Sequence, residues 1–182
     1  GGVDNEIEIS MAFTERGLGT YWQVLGAPAF YDPDRDMHDN SGVEIYLAPG
    51  DATTTQGIAW QIELFYTGNY GSTKWVQFGN GSHDGYATCA SFVDCYGQVD
   101  GIPNDPTNNG YIIEAFIPWV TFGLTEAPET MMMDGAVMYC PTYNGKREAW
   151  VSLASNKRPS YSWENPQGWY RFDSEGWVDD EN

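Results

Sequence analysis

The sequence predicts an all-β chain folded as one antiparallel, jelly-roll-like β-sandwich, a single domain over residues 1–182. Three observations carry this expectation. Apolar and polar residues alternate with a period of two through most apolar stretches, clusters of Gly, Asn, Asp and Pro separate those stretches, and no long 3.6-residue period appears. About nine or ten short strands with such connections bury their apolar faces by pairing as two sheets.

The strands follow in order. In "EIEISMAF" Ile7, Ile9, Met11 and Phe13 share one face while Glu6, Glu8 and Ser10 take the other. The pattern recurs in "TYWQVL", in "GVEIYLAP" with Val43, Ile45 and Leu47 in phase, and in "GIAWQIELFY" with Ile58, Trp60, Ile62 and Leu64 in phase. Fainter strands are expected at "KWVQFG" and "YATCASF", then at "GYIIEAFIPW", "GAVMYCPTY" and "EAWVSLAS", and "GWYRFD" closes the series. A short helix is expected only around "PWVTFGL". Loop chemistry fills the gaps, as in "YDPDRDMHDNSG", "TGNYGST", "GNGSHDG" and "DGIPNDPTNNG". Neither an internal repeat nor a linker is visible, and residues 1–5 and 173–182 read as flanking or terminal segments.

Eight Lys and Arg stand against 26 Asp and Glu, a formal charge of -18. Such a surface repels polyanions, which argues against nucleic acid and anionic membranes as partners. Membrane insertion is not expected, since no stretch approaches about 18 consecutive apolar residues. The opening Gly1-Gly2 reads as a remnant of cloning, and the chain as a domain of a larger multidomain exported protein. Oxygen ligands for calcium are plentiful, and the acidic excess reads either as bound calcium or as the solvated surface of an exported protein. Three cysteines exclude a full disulfide framework; the Cys89 to Cys95 spacing allows a bridge, and Cys140 in its apolar run reads as a small buried hydrophobe.

Catalytic chemistry has few carriers. His38 and His83 lie in polar loops without a nucleophile motif, and Glu44, Glu63 and Glu114 occupy the polar positions of alternating strands, where a glycosidase-like pair would need a suitable separation. Aromatic residues make up 15% of the chain and are the sharper signal. Trp60, Trp75, Trp119 and Trp150 fall in strand patterns and read as core. Trp163, Trp169 and Trp177 fall in a turn-rich stretch, where exposure is expected; within "YSWENPQGW", Trp163 reads as presented at the Asn165-Pro166 turn and Trp169 as the packed start of the closing strand. An exposed indole packs against the C–H face of a pyranose, with polar groups at the rim holding its hydroxyls.

Three stretches resemble the family 9 carbohydrate-binding modules and related bacterial extracellular sandwich domains: "DNSGVEIYLAP" from Asp39 to Pro49, "GYIIEAFIPWVTFGL" from Gly110 to Leu124, and "SWENPQGWYRF" from Ser162 to Phe172. They keep the family's order over about Glu6 to Phe172. The resemblance implies that two Trp rings clamp a terminal sugar while Glu, Arg, Asn and Gln side chains bond its hydroxyls. By position it puts the second clamp ring at Trp163 and the strand Glu at Glu44, and it brings Glu63, Thr142 and Arg147 to the other polar places. Where the first ring is expected the chain has Met37 and His38, and Tyr31, Trp60, Tyr161 or Trp169 are the alternatives for that wall. The same resemblance favours a structural calcium, with Asp34, Asp36 and Asp39 as its expected ligands in the acidic loop.

The resulting expectation is a non-catalytic module that binds an oligo- or polysaccharide, such as a plant cell-wall glucan, xylan or starch. It would serve at the cell surface or outside the cell, as an accessory of a glycoside hydrolase or a surface protein. A DOMON-type haem domain using Met37, His38, His83 or Met138, and a structural or adhesion sandwich, are the competing readings.

Overall fold

The structure, a computed structural model, describes residues 6–26, 30–32, 34–35, 39–50, 52–54, 59–66, 71–79, 82–83, 87–88, 94–100, 110–122, 124–140, 149–152 and 165–178. Thirteen strands are formed by these residues: β1 Glu6–Phe13, β2 Gly17–Leu25, β3 Gly42–Pro49, β4 Trp60–Tyr66, β5 Gly71–Gly79, β6 Ser82–His83, β7 Ala87–Thr88, β8 Asp94–Asp100, β9 Gly110–Pro118, β10 Thr130–Tyr139, β11 Ala149–Ser152, β12 Tyr170–Asp173 and β13 Gly176–Val178. All pairings are antiparallel.

A four-stranded sheet runs β1-β2-β9-β8, and the larger sheet runs β13-β12-β10-β3-β4-β5-β6, with β11 beside β10 and β7 beside β5. β10 organises the larger sheet. Its one edge pairs with β3, and its other edge pairs first with β12 through Thr130 to Met133 and then with β11 through Ala136 to Tyr139.

Alternation places the core. Leu18, Trp22 and Val24 of β2, Val43, Ile45 and Leu47 of β3, Trp60, Ile62 and Leu64 of β4, and Tyr111, Ile113 and Ile117 of β9 form one buried cluster with Met131, Met133 and Val137 of β10. Each such side chain contributes about 1.5–3 kcal/mol on leaving water. Ile7, Ile9, Met11 and Phe13 of β1 pack against this cluster, while Glu6, Glu8, Ser10 and Ala12 stay exposed. Tyr111 ties the sheets together, its hydroxyl donating to the Gly42 carbonyl at 3.0 Å.

The helix expected around "PWVTFGL" is a single 3-10 turn, Trp119–Phe122, whose indole N–H donates to Thr14 O at 2.9 Å. Three strand features were not apparent in the sequence. β8 carries Gly97 in mid-strand and few apolar residues, β13 is three residues long, and the first half of β10 is a Met run without alternation because both its faces are buried. Within the terminal segment from residue 173, Asp173 ends β12, and Gly176, at φ 126°, opens β13 across a turn in which Asp173 Oδ1 accepts from Glu175 N at 2.8 Å.

Candidate functional site

The larger sheet has a second face, turned away from the common core. β3 sends Val43, Ile45 and Leu47 into the core, so Glu44, Tyr46 and Ala48 take the opposite side; the same logic places Gln61 and Glu63 of β4 and Met132, Asp134 and Ala136 of β10 beside them. The register aligns these residues in rows. Glu63, Glu44, Ala136 and Ser152 stand side by side across β4, β3, β10 and β11, and Gln61, Tyr46 and Asp134 form the neighbouring row.

The polar side chains in these rows are all buried, from 0% exposed at Asp134 to 4% at Gln61. Hydrogen bonds within the face hold them. Tyr46 donates its hydroxyl to Glu44 Oε2, Gln61 Nε2 donates to Glu63 Oε1 at 3.2 Å, and Ser152 Oγ donates to Asp134 Oδ2 at 2.6 Å. Bonds to a charged acceptor are the stronger class, and burial strengthens them further. Gln61 Oε1 and Trp169 Nε1 are buried without a hydrogen-bond partner among the described residues.

Trp169 borders the face, its ring 5.9 Å from that of Tyr46 at 41°. The turn before it sets its direction. Asn165 Oδ1 accepts from Gln167 N, and Trp169 N donates to Pro166 O at 3.0 Å, closing a 3-10 turn at Pro166–Gly168 that delivers the indole inward. Trp169 is fully buried, so the exposure expected of it from its turn-rich setting is corrected; its packing at the start of β12 agrees with the other expectation. Trp60 is a core residue against Phe122, which removes both Trp60 and Trp169 as an open second wall.

Among the expected sugar-contacting residues, Glu44 and Glu63 are brought together as direct cross-strand neighbours. Trp163, Tyr161, Met37, Thr142 and Arg147 lie outside the described residues. Glu114, the third carboxylate considered for catalysis, lies exposed on β9 of the other sheet, apart from Glu44 and Glu63. Tyr46, Gln61, Asp134 and Ser152 were not singled out from the sequence. The signal was present: each is a polar or amphipathic residue inside an apolar run, Asp134 most plainly in "MMMDGAV", where a carboxylate needs a buried partner.

The acidic loop is pinned at its ends, Ser41 N donating to Phe30 O at 2.9 Å and Phe30 N to Ser41 Oγ at 3.0 Å. Asp32 N donates to Asn40 Oδ1 at 2.7 Å, and the Asp32 carboxylate accepts from Asp34 N at 3.0 Å and pairs with Arg35 at 3.4 Å. Of the expected calcium ligands, Asp34 is exposed, Asp39 is half-buried, and Asp36 lies outside the described residues. Among the described residues no three such side chains gather as a metal site. For the haem reading, Met37 and His38 lie outside the described residues and Met138 is buried in β10. Cys140 is buried, as expected, with Arg35 Nη1 3.7 Å from its Sγ.

No family model matches the sequence, and no curated protein matches it. Solved structures do match. The fold superposes on a family 9 carbohydrate-binding module from Caldicellulosiruptor kristjanssonii in complex with glucose, with a TM-score of 0.64 and 17% identity over 100% of this chain and 83% of that one. The cellotriose complex gives 0.64 and 16% over 100% and 81%. A Bacteroides uniformis ATCC 8492 protein named as a candidate carbohydrate-binding protein gives 0.59 and 13% over 93% and 78%. The chain has the fold of the family 9 carbohydrate-binding modules.

Proposed function

We propose that this domain is a non-catalytic carbohydrate-binding module that holds a larger extracellular or cell-surface protein on an oligo- or polysaccharide. The observation that carries the proposal is the match in fold along the whole chain to modules whose structures contain glucose and cellotriose. The polar face of β3, β4 and β10 supports it. Its buried side chains, fixed by Tyr46, Gln61 and Ser152, serve as a preset floor, which limits the ordering cost of binding.

In this proposal Glu44 and Glu63 belong to the floor. Trp163 stacks on a sugar ring, Tyr161 and Met37 supply apolar contact, and Thr142 and Arg147 bond hydroxyls at the rim. A pyranose has C–H faces for the indole and hydroxyls for the polar groups, so one ligand satisfies both. Trp163→Ala is expected to lose retention in affinity gels containing cellulose-derived glucan, xylan or starch while its melting curve stays unchanged. Equal retention would remove Trp163 from the site, and failure of the unmodified domain to bind any glycan would remove the function.

A structural calcium held by Asp34, Asp36 and Asp39 belongs to the same proposal, because hard carboxylate oxygens are its usual ligands. Returning calcium to chelator-treated protein is expected to raise the melting temperature. An unchanged midpoint refutes that part alone.

A further inference from the structure

The two sheets guard their edges differently. Among the described residues the larger sheet ends in short strands, β13 of three residues and β6 of two, with β11 of four and β7 of two at its flanks. In the four-stranded sheet β8 closes one edge, with an Asp at each end and Gly97 in its middle. β1 closes the other with eight residues that keep an unbroken one-to-one register with β2, its only partner among the described residues. It has no Pro, Lys or Arg, no bulge and no charge turned toward the core, so the devices that ordinarily keep an edge from pairing are missing.

The hairpin decides which residues present their backbone to this edge. Thr14 N donates to Gly17 O at 3.0 Å, which makes these two a hydrogen-bonded pair at the end of the β1–β2 ladder. Such pairs alternate along an antiparallel ladder, so Ala12, Ser10, Glu8 and Glu6 turn their backbone groups toward β2, and Phe13, Met11, Ile9 and Ile7 turn theirs to the edge. The side chains of these last four pack against the core yet stay half-buried, Phe13 against Trp119 and Phe172. One more strand at the edge would supply their hydrogen bonds and deepen their burial.

We propose that the edge of β1 docks a second copy of this chain, β1 against β1, antiparallel about a two-fold axis at Ser10. The residues of the strand favour this occupant and this register. Centred on Ser10, Ile7 lies opposite Phe13 of the second copy and Ile9 opposite its Met11, and by symmetry the reverse, so the hydrogen-bonded pairs carry apolar side chains on the core side. On the other side Glu8 lies opposite Ala12 and Ser10 opposite Ser10, so no acid faces an acid. The two copies of Glu8 stand about 14 Å apart along the strands, beyond the screening length of about 8 Å at physiological salt. An axis at Ile9 leaves Phe13 past the end of the facing strand, and one at Glu8 sets Glu8 on Glu8.

A single strand pair buries less than about 1,200 Å², the class of transient contacts, so self-association is measured by sedimentation equilibrium over about 10–500 μM. The 26 acidic residues against 8 basic ones oppose it over the whole molecule, and the dissociation constant is expected to fall about threefold to tenfold as salt rises from about 20 to about 300 mM. Ser10 is exposed and free to vary within the monomer. Ser10→Glu and Ser10→Lys each set like charges about 4.5–5.5 Å apart at the axis and are expected to weaken association about fivefold to tenfold at about 150 mM salt. An equal mixture of the two variants is expected to associate at least as tightly as the unmodified domain, which also shows that both are folded. A domain that stays monomeric over this range at both salts overturns the proposal. So does a dimer that Ser10→Glu leaves intact, or a mixture that fails to associate.

Discussion

Gly135 of β10 lies directly under the indole of Trp22 of β2: a β-carbon built on Gly135 would stand 2.2 Å from Trp22 Cη2, far inside van der Waals contact. The two residues belong to different sheets, so the missing side chain sets how closely the sheets approach at this point. Trp22 is fully buried and has no room to turn aside cheaply. Gly135→Ala is therefore expected to cost about 1–3 kcal/mol, lowering the melting temperature by roughly 2–12 °C. Trp22→Phe shortens the ring, and in that background the same Ala substitution is expected to cost less. Additive losses in a double-mutant cycle would refute the contact as the cause.

Tyr46 links the second face to the rest of the fold. Its hydroxyl donates to Glu44 and its ring packs on Trp169. Tyr46→Phe keeps the ring and deletes one donor to a buried carboxylate, a loss of about 1–3 kcal/mol by chemical denaturation. Weaker retention on whichever glycan the domain binds is expected alongside it. A variant as stable as the parent would show that this hydrogen bond contributes nothing net.

Alkaline pH is expected to unfold the domain partly through Tyr111. Burial raises the phenol well above its ordinary value, and the nearby Cys140 adds to the rise. Because the folded value lies above the unfolded one, the contribution is fully present below about pH 10 and is lost as pH climbs toward the folded value. Unfolding free energy should fall across that interval, with tyrosinate absorbance appearing together with loss of structure. Tyr111→Phe should flatten the alkaline slope while costing about 1 kcal/mol near neutrality through the lost bond. An unchanged slope would assign alkaline sensitivity to other groups.

How legible the site was depended on the kind of signal each residue leaves. Glu44 and Glu63 stood out because a carboxylate among branched apolar residues is expensive unless the fold provides for it. Tyr46 and Gln61 sat at ordinary alternating positions, and Asp134, plain as a lone carboxylate in its Met run, lies in a strand buried on both faces, where period-two patterning does not tell which face a residue takes. Trp169 showed the opposite problem: its turn suggested exposure, but the Asn165 cap and the Pro166 carbonyl direct the chain inward.

By itself, the sequence determined the all-β class, the inward residues of β1, β3 and β4, and the acidic character of the chain, since alternation and charge are local properties that survive in one dimension. The tertiary structure alone decided that Glu44 faces Glu63, that β10 takes β3, β12 and β11 as partners, and that Gly135 receives Trp22. A strand's pattern states which face is buried but not which strand will lie beside it, so pairing and register between residues distant in the chain emerge only when the sheets close on their common core.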